Sequence, residues 1–392
     1  MTSRSHLHPL WIIAGVMLVA TTLRATFTGA GPLLDDIGQA FGQGAGQTGF
    51  LITLPLLAFF VVSPFAARLA RAIGLERALF LALIAMVAGI AIRSVGPLWT
   101  LYGGSVLLGT GIAIGNTLLP SLLKRDFPDQ ITKLTTLYAI SMGVASAAAS
   151  ALMAPLAHAT DWRVALLSLI VLPAAAALVW IPQLRRHSAP VAATAELETS
   201  ASIWRSGLAW QVTLFFGLNS FVYYAVAAWL PSILTASGTS PEAAGAVHGV
   251  MQLATAAPGL VLVPLVRRMK DQRALAAAFA LLSLIALAGL YLAPGLAVVW
   301  AALAGFGSGG GFILALSFIG LRTGSAHQTA QLSGMTQSVG YLLSACGPVA
   351  IGALHDAAGG WPLALGVCGA LCVLMAVMGL GAGRDRQIRG GR

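Results

Sequence analysis

Residues 50–95 read FLITLPLLAFFVVSPFAARLARAIGLERALFLALIAMVAGIAIRSV, two long apolar runs joined by a short arginine-rich segment. An apolar helix of about 20 residues, rising about 1.5 Å per residue, crosses the hydrocarbon core of a bilayer. Arg68, Arg71 and Arg77 lie between the runs and mark a cytoplasmic loop, because basic residues accumulate on that side. The stretch therefore predicts a transmembrane helical hairpin, and the pattern continues in both directions along the chain.

The composition of the whole chain also indicates a membrane protein. Of its 392 residues, 58% are hydrophobic and 9% are charged, whereas soluble domains carry about 25% charged residues. The net charge of +10 comes from clusters between apolar runs, so the lipid bilayer is the predicted partner and nucleic acid is not. Cys346, Cys368 and Cys372 lie in apolar segments away from histidines and carboxylates, so we predict no disulfide framework, no metal and no cofactor.

Twelve apolar segments of spanning length can be placed along the chain. The first follows Arg4 and runs on too long for a cleavable signal peptide, so we predict that it is retained as helix 1. After the sixth segment a polar stretch at 183–206 predicts a cytoplasmic linker between an N-terminal six-helix bundle at 1–182 and a C-terminal one at 207–392, which ends in a short cytoplasmic tail. The predicted helices lie at 10–33, 47–70, 77–95, 98–123, 131–157, 162–182, 208–232, 243–267, 273–293, 295–321, 330–354 and 362–382.

The lysines and arginines predict the orientation of these helices. With the N-terminus in the cytoplasm, all 22 except Arg24, Arg93 and Arg163 fall in cytoplasmic segments, as the positive-inside rule requires. Shifting the assignment by one helix would reverse this bias. We therefore predict a multi-pass protein of a bacterial-type inner membrane with both termini in the cytoplasm.

The two halves of the chain repeat each other. Arg77 and Arg273 each begin an Arg-Ala-Leu sequence and are 196 residues apart, while Pro32 and Pro231 are 199 apart. A steady offset of half the chain predicts two pseudo-symmetric, parallel six-helix repeats in an all-α membrane protein. Such repeats place a solute site near the bilayer midplane between the halves, with alternating access by rocking. The architecture predicts a transporter.

Arg24 is the strongest candidate for a solute-binding residue. It lies in the middle of predicted helix 1, where a charged side chain costs at least about 2.5–3.5 kcal/mol. Thr21, Arg24, Thr28 and Gly31 recur at helical spacing and predict a polar stripe along a wet cavity. A guanidinium there binds a planar or oxyanionic group through paired hydrogen bonds. The alternative is a structural arginine that caps carbonyls of a broken helix.

Further polar residues at midplane depth are candidates for orienting a solute, with interhelical packing as the alternative for each. Tyr223 follows Arg24 by 199 residues, so the repeat places it opposite the arginine. The predicted binding residues are Arg24, Asn116, Tyr138, Asn219, Tyr223, Gln337 and Tyr341.

Three other features carry predictions of their own. His248 is the one histidine predicted inside the membrane; it is a candidate for carrying a coupling proton, or a hydrogen-bonded structural residue. The glycine-rich segment 305–311 predicts close packing and gating at helix 10, with simple helix crossing as the alternative. Arg93 is predicted to be structural and paired with Asp35 or Asp36.

Several motifs resemble the major facilitator superfamily. The sequence AARLARAIGLER at 66–77 looks like its loop 2–3 signature, in which Arg68, Arg71, Gly74 and Arg77 are the implied gating residues. Arg71 stands where the superfamily usually has an aspartate, a departure that resembles the branch of cyanate permeases and nitroimidazole transporters. The other stretches similar to that branch are TLR at 22–24, IGNTLLP at 114–120, KRDFP at 124–128, AWQ at 209–211, WLP at 229–231, LSGMTQSVGY at 332–341, GP at 347–348 and LHD at 354–356.

The resemblance implies a secondary carrier that moves a small anion or a small polar organic solute. We therefore predict a monomeric transporter, with Arg24 as the anchor for a cyanate-like anion or polar solute. The alternative within transport is export of neutral heteroaromatic or drug-like compounds of the nitroimidazole type, in which Arg24 would matter little. A transporter-like membrane sensor is the alternative from another class, and an enzyme is not predicted, since the chain shows no catalytic constellation.

Overall fold

The computed structural model describes residues 9–185, 201–260, 262, 266, 269–324 and 326–388, and every regular element in these ranges is helical. The helices of the first half are α1 (Pro9–Thr28), α2 (Leu34–Phe41), α3 (Ala45–Thr48), α4 (Phe50–Ile73), α5 (Leu75–Ser94), α6 (Leu98–Asp126), α7 (Ile131–Ala159), α8 (Trp162–Ser168) and α9 (Val171–Trp180). Within the predicted linker lies α10 (Ala201–Trp204), and the helices after it are α11 (Gly207–Ala236), α12 (Pro241–Ala254), α13 (Arg273–Leu292), α14 (Ala297–Leu321), α15 (Ala326–Ala358) and α16 (Trp361–Ala382).

The helices agree with the predicted membrane-spanning architecture. Within the described ranges, eleven segments are long and apolar enough to cross a membrane. The remaining predicted span, the eighth at 243–267, begins as α12, and its remainder includes residues outside the described ranges. The predicted linker at 183–206 also lies largely outside them, so the proposed bundle boundaries stay predictions.

The first span is more complex than the single helix predicted at 10–33. The α-helix ends at Thr28, a 3-10 turn covers Gly31–Leu33, and α2 continues the segment to Phe41. Pro32 has no backbone N–H and cannot continue the hydrogen-bond ladder. Gly42, at φ +64°, then ends α2 in the left-handed conformation that favours glycine.

Small residues allow the helices within each half to approach closely. A Cβ on Gly104 of α6 would lie 2.4 Å from the backbone nitrogen of Arg93, and one on Gly89 of α5 would lie 2.5 Å from that of Leu108. In a membrane, where the hydrophobic effect does not drive helices together, this backbone contact is a principal source of association. In the first half α1 packs against α7 and α9; in the second, α11 packs against α15 and α16.

The two halves contact each other chiefly along α7 with α12 and along α3 and α4 with α15. Polar bonds between the halves cluster at the end of the molecule that is predicted to face the periplasm. They include the His158 Nδ1–Glu242 Oε1 pair at 2.5 Å, the Ser232–Asp35 bond at 2.7 Å, and the bonds from the Ala45 and Gly46 amides to the Asp356 carboxylate at 3.0 and 2.8 Å. These bonds hold that end of the molecule closed.

A central cavity as the candidate solute site

A cavity of about 630 Å³ lies between the halves, below the closed end. This volume falls within the range of about 300–1,000 Å³ that small-molecule sites occupy. Helices α1, α4, α6 and α7 form one side of the wall, and α11, α14, α15 and the end of α12 form the other. All seven residues predicted from the sequence line it: Arg24, Asn116, Tyr138, Asn219, Tyr223, Gln337 and Tyr341.

Arg24 is held in the wall by side chains from the opposite half. Its Nη1 donates to Oγ1 of Thr255 at 2.8 Å, and its Nη2 donates to the hydroxyl of Tyr223. The guanidinium carbon also lies 5.3 Å from the centre of the Tyr223 ring, a cation–π distance. Both described partners are neutral, and no aspartate or glutamate is among the described residues of the wall. The cavity therefore presents a positive charge that no carboxylate among the described wall residues neutralises.

Of the predicted polar stripe on the first helix, only Arg24 is in the described wall. Thr21 donates to the Leu18 carbonyl at 2.7 Å, and Thr28 bonds Ser146 on α7 at 2.7 Å. Gly31 lies against the second half, since a Cβ there would be 2.9 Å from the Ala227 carbonyl oxygen. Thr28 therefore joins α1 to α7 within the first half, and Gly31 contacts the second half, instead of facing the cavity.

Tyr223 begins a hydrogen-bonded chain that leads away from the cavity. Its hydroxyl donates to Oε1 of Gln252 at 2.7 Å, and Nε2 of Gln252 is 2.9 Å from Nε2 of His248. Gln252 and His248 are fully buried. The Ala227 carbonyl lies within reach of the imidazole, although Nδ1 makes no hydrogen bond of normal geometry among the described residues. Arg24 and His248 are thus connected through two side chains.

Gln252 and Thr255 were not predicted as site residues, although the sequence contains a signal for them. His248, Gln252 and Thr255 recur at i, i+4 and i+7, which is one face of a helix. The glycines at 305–311 explain how this face is held against α14. A Cβ on Gly305 or Gly309 would lie 2.2 Å from the carbonyl oxygen of Met251 or Thr255, so α14 and the end of α12 pack in backbone contact, as close packing predicts.

The other predicted binding residues form local pairs in the wall. Tyr138 donates to Oδ1 of Asn116 at 3.2 Å, so these two are neighbours. Asn219 donates to the Ser308 carbonyl at 3.0 Å and thereby joins α11 to α14. Gln337 donates to Ser333 on its own helix at 2.8 Å.

Aromatic rings contribute to the apolar surface of the cavity wall. Tyr341 packs against Phe59 and Phe216, with ring centres 5.7 and 5.6 Å apart. Tyr224 contacts Tyr223 at 4.9 Å and Phe27 at 5.7 Å. A flat ligand would find both a cation and ring faces here.

The loop 2–3 residues are not among the described residues of this wall. Arg68, Arg71 and Arg77 are exposed, and Gly74 adopts a φ of +91° between α4 and α5. The adjacent Glu76, which was not predicted, is buried and accepts a 2.7 Å salt bridge from Arg125. The gating role of this loop stays a prediction.

The predicted pairing of Arg93 with Asp35 or Asp36 is wrong. Nε and Nη2 of Arg93 are buried without a hydrogen-bond partner among the described residues, in an apolar layer that includes Leu101 and Leu108. Asp35 instead accepts from Ser232 across the interface between the halves.

Comparisons with known proteins agree with this architecture. The sequence profile of the Major Facilitator Superfamily matches residues 16–345. The 2-nitroimidazole transporter of Escherichia coli (strain K12) is 51% identical over 389 residues, which cover 99% of both chains. The cyanate transport protein CynX of the same organism is 28% identical over 350 residues, 88% of this chain and 90% of that one. The crystal structure of a D-xylose-proton symporter shares the fold, with a TM-score of 0.77 at 13% identity over 94% of this chain and 97% of that one.

The helical architecture and these matches lead to one conclusion about the family and general activity. The chain belongs to the major facilitator superfamily, in the branch of cyanate and nitroimidazole transporters, and it is a multi-pass membrane transporter rather than an enzyme.

Proposed function

We propose that this transporter carries a small planar solute that bears a pair of acceptor oxygens, as a nitro or carboxylate group does, with Arg24 as its anchor. The observation that carries the proposal is the Arg24 guanidinium, which lines the cavity, is positioned by neutral partners and faces no described carboxylate. The protein would carry this solute by alternating access, in which the halves 1–182 and 207–392 rock about the cavity and expose it to each side of the membrane in turn.

Nitro and carboxylate groups have the same planar shape, and both match the paired N–H groups of a guanidinium. A carboxylate forms the stronger bonds because it carries a full charge. Tyr224, Phe27 and Phe59 would pack against the ring of such a solute. Similarity to the 2-nitroimidazole transporter supports a nitro-substituted ring, and the more distant similarity to the cyanate transport protein supports an anion.

We also propose that the protein acts as a monomer in a bacterial-type inner membrane with both termini in the cytoplasm. In that orientation the bonds of His158, Asp35 and Asp356 close the periplasmic end. Gln337 and Ala139, which line the cavity, are exposed, and in the predicted topology both lie in the cytoplasmic half of their helices. The conformation would then be inward-facing.

Ligand binding to purified protein tests the role of Arg24. The probes are 2-nitroimidazole and the isosteric pair benzoate and nitrobenzene, with benzyl alcohol as the ring compound that lacks paired oxygens. Each is measured by thermal shift and titration on the wild type, Arg24→Ala, Arg24→Lys and the control Arg163→Ala, which removes an arginine that stacks on Trp162. Flux of each ligand that binds is then followed in proteoliposomes.

We expect Arg24→Ala to lose at least tenfold in affinity for the paired-oxygen probes, because each hydrogen bond to a charged group contributes about 1.5–3 kcal/mol. Arg24→Lys should retain part of the affinity for benzoate, since it keeps the charge but loses the planar fork. Arg163→Ala should bind like the wild type. Unchanged affinity and flux in Arg24→Ala would overturn the proposal and favour transport of neutral compounds held by the aromatic wall.

A further inference from the structure

The hydrogen bonds between Arg24 and His248 run in one direction. Arg24 has only donors, so the Tyr223 oxygen accepts from it and the Tyr223 hydrogen points to Gln252 Oε1. The amide of Gln252 must then present its N–H to Nε2 of His248. The imidazole is therefore neutral and accepts at Nε2 in the conformation observed.

Protonation of His248 at Nε2 would reverse this chain. Nε2 would become a donor, so Gln252 would turn its carbonyl oxygen toward the imidazole and its amide N–H toward Tyr223. The Tyr223 oxygen can accept from Gln252 and Arg24 together, but its own hydrogen would have to leave Gln252. Because Tyr223 lines the cavity, that hydrogen can point to a solute bound at Arg24.

Electrostatic repulsion also links protonation of His248 to anion binding at Arg24. A proton on His248 adds a positive charge to the fully buried pair of His248 and Gln252, which Tyr223 connects to the half-buried Arg24 in the cavity wall. Two cations in such surroundings repel each other, and an anion bound at Arg24 offsets the repulsion. Among the described residues, the other titratable groups on α12 and the helices packed against it are Glu242 on α12, Tyr223 and Tyr224 on α11, and Lys133, Tyr138 and His158 on α7. Asp35 and Asp36 lie on the adjoining α2.

We propose that His248 is a proton-binding site coupled to the solute site, and that Gln252 and Tyr223 are positioning residues that turn the Tyr223 hydroxyl toward an anionic solute when Nε2 takes up a proton. This inference rests on the proposed function, because it takes Arg24 as the anchor of that solute. By linkage, a proton that strengthens anion binding is itself bound more tightly when the anion is present. The wild-type protein would then bind an anion and a proton together.

The test compares benzoate with nitrobenzene between pH 6 and pH 8, where neither ligand changes its charge. For the wild type we expect the affinity for benzoate to rise as the pH falls, by up to tenfold per pH unit for one coupled proton. Proton uptake on adding benzoate, measured in weakly buffered solution, should approach one per protein within that range. The response to nitrobenzene should be much flatter, because it brings no charge to offset the repulsion.

The variants His248→Gln and Tyr223→Phe separate coupling from packing. A glutamine amide at 248 can still accept from Gln252, so His248→Gln should bind benzoate at pH 8 within about threefold of the wild type, yet show neither the pH dependence nor the proton uptake. Tyr223→Phe should lose most of the gain in affinity at low pH, because it has no hydroxyl to redirect.

The outcomes distinguish the two proposals. If none of the paired-oxygen probes binds, or all bind equally well to Arg24→Ala, the proposed function fails and the coupling fails with it. If only the nitro probes bind through Arg24 and benzoate does not, the coupling alone is overturned. If binding depends on Arg24 but wild-type protein takes up no proton, the coupling alone is overturned. The same holds if His248→Gln takes up protons as the wild type does. The wild-type measurement is decisive even if a variant does not fold.

Discussion

Closure of the predicted periplasmic end should depend on glycine contacts between α12 and α7. A Cβ on Gly249 would lie 2.8 Å from the carbonyl oxygen of Ala147, and one on Gly245 would lie 2.7 Å from that of Ser150. An ordinary contact needs about 3.4 Å, so Gly249→Ala requires the helices to separate by about 0.6 Å there. Such overpacking costs about 1–3 kcal/mol. Because the strain exists only while this end is closed, the population should shift toward the state that is open here, by roughly 5- to 150-fold.

Spin labels at Thr160 and Ser237, which are exposed on opposite halves at this end, report the separation by double electron–electron resonance. The labels are placed in a background without Cys346, Cys368 and Cys372. Gly320→Ala is the matched control, since a Cβ there meets nothing within 4 Å while the gain in helix propensity is the same. A Gly249→Ala distance distribution identical to that of the control would refute the reasoning.

Three further predictions follow from single residues. Arg93→Met should stabilise the protein against thermal unfolding by about 1–3 kcal/mol, because it removes buried donors without described partners; a lower melting temperature would show that Arg93 is bonded in another state. Trp229→Phe should cost about 0.5–1.5 kcal/mol in the same assay, since it loses the 2.8 Å bond from Nε1 to the Pro348 carbonyl, and an unchanged melting temperature would contradict this. Hydrogen bonds from its own backbone N–H and then from His158 lower the pKa of Glu242 below its ordinary value of 4.5. The ionised carboxylate therefore contributes to closure of the predicted periplasmic end above pH 4.5, and this contribution is lost as the pH falls through the lowered pKa. Glu242→Gln should abolish that acid-induced opening in the spin-label measurement, and an identical pH response in the variant would argue against the pair.

Much of the fold could be predicted because the bilayer restricts what an apolar chain can form. Spanning segments must satisfy their backbone groups internally, so the length of each run and the placement of basic residues predicted helices such as α5 and α14 to within a few residues. The break after Thr28 was missed, although Gly29, Gly31 and Pro32 signal it. Hydropathy does not distinguish one long helix from two helices with a turn between them, since both are equally apolar.

For the candidate site, the depth of a polar residue in the membrane can be predicted from the sequence, whereas its hydrogen-bond partners depend on the tertiary structure. Polar residues at midplane depth must find partners or line a cavity, and this argument, with the repeat, correctly placed Arg24 and Tyr223 opposite each other. Partners that are 231 residues apart, such as Arg24 and Thr255, depend on how the two halves dock. Arg93 shows the limit of the argument: its nearest acidic residues in the predicted topology were the obvious partners, but Asp35 bonds Ser232 instead.

The contacts of Arg24 indicate that solute binding and proton binding act on different groups. A guanidinium has five N–H groups, and the two described bonds, to Thr255 and Tyr223, join the first half of the chain to the second. Three N–H groups remain, enough for a bidentate bond to a solute while both bonds between the halves persist. Solute binding therefore need not release the halves from each other at this depth. A change of state that separates the halves here must break the bonds to both Thr255 and Tyr223. Tyr223 is where the chain from His248 ends, so a proton at His248 reorients the hydroxyl of one of these two partners without itself breaking the bond to Arg24.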